Sequence, residues 1–307
     1  GTPAYIEYFR QQLHELTTDY GDLFEVWFDG ANGGDGYYGG ANETRSIDRT
    51  TYYDWDNTRQ IVRDNQPDAV MFSDAGPDVR WVGNEKGIAG DPCWSTINED
   101  LVFPGIDPES FQARLTKTRS TDDMVGAWDS PTQFLNAGDR EGRSWLPAEA
   151  DVSIRPGWFF HEAENDQVRP PKNLFDLYLK SVGRGTSLLL NLPPDRRGRI
   201  HEIDRESLMG FKALREAMFA SNCIGAATVL ADSGSVEDLQ GEETWLQSES
   251  EQLTLTCTFA ASQCVGIVGL REQVQLGQRV DTWSVEVLAD GEWREVKQGE
   301  AIGNRRL

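Results

Sequence analysis

From Tyr5 to Phe219 the chain alternates amphipathic helical stretches with short apolar runs, and few folds accommodate that alternation. Between Tyr5 and Tyr20 the apolar residues Ile6, Phe9, Leu13 and Leu16 recur at helical spacing, with Pro3 near the start, where its missing N–H costs nothing. After Gly21 comes Phe24 to Phe28, too short for a helix and rich in strand formers. A helical stretch at Trp55 to Asn65 leads into the run Asp68 to Asp74. Further apolar runs at Met124 to Trp128, Ser153 to Phe159 and Thr186 to Leu192 bring the buried-strand candidates to five, with helices expected at Asn173 to Val182 and Arg205 to Phe219. Helix and strand in this rhythm build a parallel sheet covered by helices, an α/β fold.

Beyond Cys223 the period changes. Leu253, Leu255, Cys257 and Phe259 alternate with polar residues, as do Trp283, Val285 and Val287, and Asp290-Gly291 offers a tight turn between two strands. The expected organisation is an α/β domain over residues 1–222 and an antiparallel β-sandwich over 223–307.

Composition removes several function classes. With 307 residues, 38% of them hydrophobic, and 10 tryptophans, a packed core is within reach. A formal charge of −22 without a basic stripe argues against nucleic-acid binding. No apolar run reaches the roughly 18 residues of a membrane span, and the Gly1-Thr2-Pro3-Ala4 start carries no signal-like core. Cys93, Cys223, Cys257 and Cys264 form no CxxC pair, and His14, His161 and His201 stand far apart, so no metal-ligand spacing is present and neither metal nor cofactor is expected. The disulfide state stays open.

In parallel α/β folds function collects where the carboxyl ends of the strands converge. Here those ends carry Asp29 in "FEVWFDGANGG", then Ser73, Asp74, Asp78 and "RWVGNEKG" with Glu85, then Trp128 and Asp129, then "RPGWFFH", and finally Asn191. Carboxylates and tryptophans dominate, and "GRGTS" lacks the lysine of a phosphate-binding loop. Two acids with aromatic platforms fit sugar chemistry: glycosidic cleavage needs one carboxylate at the anomeric carbon and one acid at the leaving oxygen, while aromatic faces pack on the C–H side of the ring. For any single acid the ordinary alternative is a helix cap or a solvated loop residue; the coincidence of several weakens it. "DGANGGDG" resembles a calcium loop but has Ala31 at the third ligand position. His161 and His201 are alternative general bases without a visible partner.

Five ordered segments, "YGDLFEVWFDGANG", "YYDWDNTRQIVRDNQPDAVMFSD", "DVRWVGNEKGIAG", "EADVSIRPGWFFH" and "LLLNLPPDRRGRIHEID", closely resemble the α-L-fucosidase family of retaining glycoside hydrolases, with the GNE segment similar to its α-1,3/1,4-specific branch. "LREQVQLGQRVDTWSVEV" looks like the family's carboxyl-terminal β-sandwich, so the resemblance covers nearly the whole chain. It implies a partial (β/α)8-type barrel followed by the sandwich, with Asp29 as nucleophile, Glu85 as acid/base and the two carboxyls roughly 5–5.5 Å apart, as retention demands. Trp158 is implied as an aromatic wall of the sugar pocket, with Trp81, Asn84 and Arg80 as further substrate-binding candidates, although Arg80 could instead pair with Asp78. No metal is implied. The expected partners are fucosylated oligosaccharides or glycoconjugates; the aglycone side is shaped by loops such as Gly33 to Arg49. Five strands cannot close an eight-stranded barrel, so the chain is expected to be a fragment cut at both ends, from a secreted or periplasmic bacterial enzyme. A non-catalytic carbohydrate-binding protein, an inactive fragment of the enzyme and a metal-dependent hydrolase are the competing classes.

Overall fold

The computed structural model describes residues 3–29, 36–38, 42–45, 52–74, 76–98, 130–234, 236, 239, 245–248 and 250–307. In chain order its elements are helix α1 (Pro3–Thr18), strands β1 (Glu25–Trp27), β2 (Gly36–Tyr38) and β3 (Glu43–Arg45), helix α2 (Trp55–Asn65), and strands β4 (Val70–Ser73), β5 (Val79–Trp81) and β6 (Thr96–Ile97). Helix α3 (Ser130–Ala137), strands β7 (Ser144–Trp145) and β8 (Ala148–Ser153), helix α4 (Pro171–Lys180), strand β9 (Ser187–Asn191) and helix α5 (Glu202–Met218) complete the α/β part. Four strands follow: β10 (Ala227–Ala231), β11 (Leu255–Phe259), β12 (Thr282–Ala289) and β13 (Glu292–Glu300). No helix among the described residues is long and apolar enough to cross a membrane.

Strands β1, β4, β5, β8 and β9 form one parallel sheet in that order, an arc of a (β/α)-barrel. The sequence expectation of five parallel strands holds, with two changes of membership. The strand expected at Ser153 to Phe159 lies at Ala148–Ser153 instead, and Ser153 is its last residue. A search for apolar runs skips "AEADVS" because acids occupy every second position, whereas Pro156 and Gly157 break the more apolar stretch that follows. The three-residue β5, too short to register as a run, pairs with both β4 and β8. Met124 to Trp128 lies outside the described residues.

Side chains alternate across a strand, so each strand offers one face to the helices and one to the barrel interior. On the outer face, Phe28 and Met71 pack with Leu13, Trp55 and Val62 from α1 and α2. Val82, Ala148 and Ala150 pack with Ala89 and Cys93, and Val152 packs with Leu174 and Leu177 of α4. Helix α4 starts with Pro171, whose fixed φ suits a first turn, and buries Leu174, Phe175, Leu177 and Tyr178 along one stripe.

The tail is antiparallel, as its alternation predicts: β10 pairs with β11 and β12 with β13. At the β12–β13 turn Asp290 and Gly291 have φ of 56° and 84°. Both central residues of a two-residue hairpin that follows the strand twist need positive φ, and Asp-Gly supplies them cheaply. The tail also touches the α/β part, where Leu307 N donates to Gly183 O at 2.9 Å and Ser95 N donates to Gln278 Oε1 at 2.9 Å.

One ion pair fixes the carboxyl end of β8 to α5. Arg155 and Asp204 are both fully enclosed, and the guanidinium meets the two carboxylate oxygens at 2.9 and 2.8 Å. Arg155 also donates to His161 O at 3.1 Å and to Asn165 Oδ1 at 3.0 Å, and lies 4.5 Å from the centre of the Phe160 ring. Removing one member leaves an uncompensated buried charge, so Asp204→Ala is expected to lower the urea midpoint by an amount worth about 3–5 kcal/mol. The double change Arg155→Met with Asp204→Leu should recover most of that loss; a loss below about 1 kcal/mol for the single change would show that the pair is not desolvated as described.

Candidate active site

Because the five strands are parallel, their carboxyl ends share one rim. Asp29 follows β1 by two residues and is exposed; Glu85 follows β5 by four and is also exposed. Trp158 stands five residues beyond β8, half-buried, and its indole Nε1 donates to Glu85 Oε2 at 3.1 Å. Asn191 Nδ2, at the end of β9, donates to Trp158 O at 3.0 Å and to Ser153 Oγ at 3.0 Å. Ser153 Oγ in turn donates to Gly157 O at 2.7 Å. The two last residues of neighbouring strands thus tie down the loop that carries Trp158.

The loop bearing Glu85 is held from below. Asn84, buried, donates to Ile88 O at 2.8 Å and accepts from Lys86 N at 3.0 Å, spanning the turn around Glu85. Asn136 Nδ2 reaches Val82 O and Ile88 O, both at 3.0 Å. Gly87 sits at φ +71°, and a Cβ there would lie 2.8 Å from Val152 Cγ1, so only glycine fits. Asn84, expected to touch substrate, therefore spends its amide on shaping the loop.

Arg80 is further from expectation. It points to the helix side of the sheet, fully buried, donating to Leu135 O at 2.8 Å and Trp94 O at 2.7 Å and also to Leu146 O. Asp78, its suggested partner, pairs with Arg63 and accepts from Met71 N at 2.8 Å. His201 caps α5, its Nδ1 accepting from Ile203 N at 3.3 Å, and the His161 carbonyl accepts from Arg155. Most of the calcium-like loop lies outside the described residues. Among the described residues no group of three His, Cys, Asp or Glu could hold a metal ion.

The inner face carries residues that apolar patterning alone passes over. Trp27 is stacked on Phe72 with ring centres 4.2 Å apart, and its Nε1 donates to Glu149 Oε1 at 3.0 Å. Glu149 Oε2 accepts from Ser187 Oγ at 2.9 Å. One step up the same strand, Trp81 Nε1 donates to Asp151 Oδ1 at 2.7 Å. Glu149 and Asp151 are 6% and 3% exposed, an unusual burial for acids. Their signal in the sequence is the alternation Glu149, Asp151, Ser153, the period of one face of a strand.

This interior is electronegative. Burial first, and then the charge of Glu149, push the Glu25 carboxyl up to about 7. Burial pushes Asp151 up to about 6 against the lowering effect of the Trp81 hydrogen bond, with the charges of Glu85 and Glu149 adding to the rise. A groove of about 980 Å³ between α1 and α2, lined by Ile6, Arg10, His14, Tyr52 and Asp54 among others, contains none of these acids.

A parallel barrel arc with carboxylates and tryptophans along one rim has the layout of a glycoside hydrolase. No family model matches the chain. A rice (Oryza sativa subsp. japonica) protein provisionally designated α-L-fucosidase 1 is 36% identical over 323 residues, covering 100% of this chain and 54% of its own length. A crystal structure of a glycoside hydrolase 29 family member from an unknown rumen bacterium is 36% identical with a TM-score of 0.74, covering 100% of this chain and 49% of that one. A family 29 fucosidase of Ruminococcus gnavus, solved in complex with fucose, is 26% identical with a TM-score of 0.73 over 100% of this chain and 60% of that one. Along its whole length the chain is a relative of the α-L-fucosidases of glycoside hydrolase family 29, and it spans about half the length of the curated relatives it matches.

The raised carboxyls make stability depend on pH in a defined direction. Between the unfolded and folded pKa values the native state holds protons that the unfolded chain has lost, so stability falls as pH rises. For Asp151 that window runs from 3.8 to about 6 and for Glu25 from 4.5 to about 7. Tm is therefore expected to be higher at about pH 5.5 than at about pH 7.5, and Glu25→Gln should shrink the difference; a Tm that is flat across this interval in both proteins would contradict the assignment.

Proposed function

We propose that the protein is a retaining exo-α-L-fucosidase that releases terminal α-1,3/1,4-linked L-fucose from glycans by double displacement. The observation that carries this reading is the hydrogen bond from Trp158 Nε1 to Glu85 Oε2, 3.1 Å, which joins an aromatic platform to an exposed carboxyl on the rim that also bears Asp29. Asp29 attacks the anomeric carbon as the leaving oxygen takes the Glu85 proton, giving a covalent fucosyl-enzyme. Glu85, now ionised, takes a proton from water, which displaces Asp29 and restores the α configuration. Trp158 packs on the C–H face of the sugar while its N–H orients the Glu85 carboxyl toward the leaving group.

The relatives support the choice of sugar, because they carry the name α-L-fucosidase and one family 29 neighbour is a complex with fucose. A bacterial source belongs to the same proposal, supported by the bacterial sources of the solved neighbours, although the curated relatives come from plants; the secreted or periplasmic setting is proposed on the family resemblance alone.

Asp29→Gly is expected to lower turnover of an aryl α-L-fucoside by at least ~10³-fold. Azide should restore turnover and yield the β-fucosyl azide, since one displacement on the vacated face inverts the centre. Glu85→Gln should slow substrates with poor leaving groups more than activated ones, because only the former need a proton. Near-normal hydrolysis by Asp29→Gly, or binding of fucosylated glycans with no hydrolysis by the unaltered protein, would retire the reading, the second outcome favouring a carbohydrate-binding role.

A further inference from the structure

Three tryptophans near the rim share a device: each gives its indole N–H to a carboxylate. Trp158 meets Glu85, but the other two, Trp27 and Trp81, meet acids that no step of the proposed reaction uses. Those acids, Glu149 and Asp151, sit two residues apart on β8, the strand buried along its whole length. Backbone pairing sets their reach. Trp81 is the register partner of Glu149 across β5–β8, so its side chain crosses one step up to Asp151, while Trp27 reaches Glu149 from two strands further away.

We infer that Glu149 and Asp151 are positioning residues: from one rigid strand, each fixes the ring plane of one tryptophan, Glu149 that of Trp27 and Asp151 that of Trp81, and so sets two aromatic walls of the site. The assignment of those walls to a sugar site rests on the fucosidase reading; the two struts stand on geometry. A tryptophan has two free torsions, and packing against a flat neighbour such as Phe72 leaves the ring able to slide. A single N–H···O bond to an acceptor that cannot move removes that freedom. Glu149 is itself held by Ser187 Oγ at 2.9 Å, so its carboxylate cannot swing with the indole. The acceptors are anchored to the sheet and the indoles extend from it, which is the order a positioning element needs.

The test uses the protein labelled with 15N-tryptophan, with Trp27→Phe and Trp81→Phe assigning the two indole N–H resonances. Asp151→Ala is expected to move the Trp81 resonance upfield and speed its exchange with solvent while leaving Trp27 in place, and Glu149→Ala to do the converse. Asp151→Asn keeps an acceptor oxygen and should hold the Trp81 resonance near its original position. With an aryl α-L-fucoside, Asp151→Ala should raise KM about tenfold with kcat within about threefold, and Asp151→Asn should restore KM. If Asp151→Ala does not fold, Trp81→Phe, which deletes the donor and keeps a ring, carries the kinetic comparison and should show the same rise in KM. Resonances unmoved by removal of their acceptors, or a moved Trp81 resonance with KM unchanged, would overturn the inference. An unaltered protein inactive on every α-L-fucoside would instead retire the function, and the resonances alone would then decide whether the struts exist.

Discussion

Strand β8 is buried on both faces, so the two carboxylates on its inner face must find hydrogen-bond donors inside the protein, and the way they do so shapes the rim. An unpaired charge at this depth would cost several kcal/mol, or the group would simply take up a proton. The donors that answer are mostly indoles, from Trp27 on β1 and Trp81 on β5, with the Ser187 hydroxyl from β9 completing Glu149. Strands on either side of β8 are therefore coupled to it by side chains as well as by the ladder. Polar residues in a barrel interior here act as a cross-brace.

The rim loops extend the same logic outward. The loop after β8 is fastened by Asn191 and Ser153 on the inner side and by the Arg155–Asp204 pair on the helix side. Asp204 lies in the first turn of α5, where the helix dipole already favours a negative charge, so its carboxylate is stabilised by the helix as well as by Arg155. Trp158 then extends from a segment held at both ends. On the other side, the turn around Glu85 is closed by the Asn84 side chain and by the absence of a Cβ at Gly87. Two loops so constrained can keep a 3.1 Å contact between Trp158 and Glu85 where longer, freer loops would lose it.

Much of this was legible in the sequence, and the exceptions have physical causes. The α/β rhythm, the four helices Pro3–Thr18, Trp55–Asn65, Pro171–Lys180 and Glu202–Met218, and the Asp290-Gly291 turn follow from periodicity and turn chemistry, which are local. Counting only hydrophobic runs shifts strand β8 towards Phe159, because interior acids mimic a polar loop. Arg80 and Asn84 carry the right chemistry for ligand contact, yet the face Arg80 takes depends on strand register, a long-range property, and Asn84 is spent on the turn around Glu85. Arg80 belongs to the face of Val82 and Ala148, where backbone carbonyls rather than a sugar receive it. Glu149 and Asp151 stand out by their alternation with Ala150 and Val152, but only the partner strands show that tryptophans reach them.

The choice of indole as donor has an electrostatic consequence that an arginine would reverse. A guanidinium in the place of either indole would pair with the carboxylate and cancel its charge at short distance. An indole N–H satisfies the oxygen and adds no charge, so burial, with a smaller contribution from neighbouring acids, still lifts Glu25 to about 7 and Asp151 to about 6. The two fully buried arginines next to these strands, Arg80 and Arg155, are committed to backbone carbonyls and to Asp204, away from the inner face. In the proposed reaction positive charge develops on the sugar ring at the rim above this interior. Indole donors, being neutral, do not oppose that charge. The same hydrogen bonds that stiffen the aromatic walls thus hold the inner-face acids without placing a cation beside them.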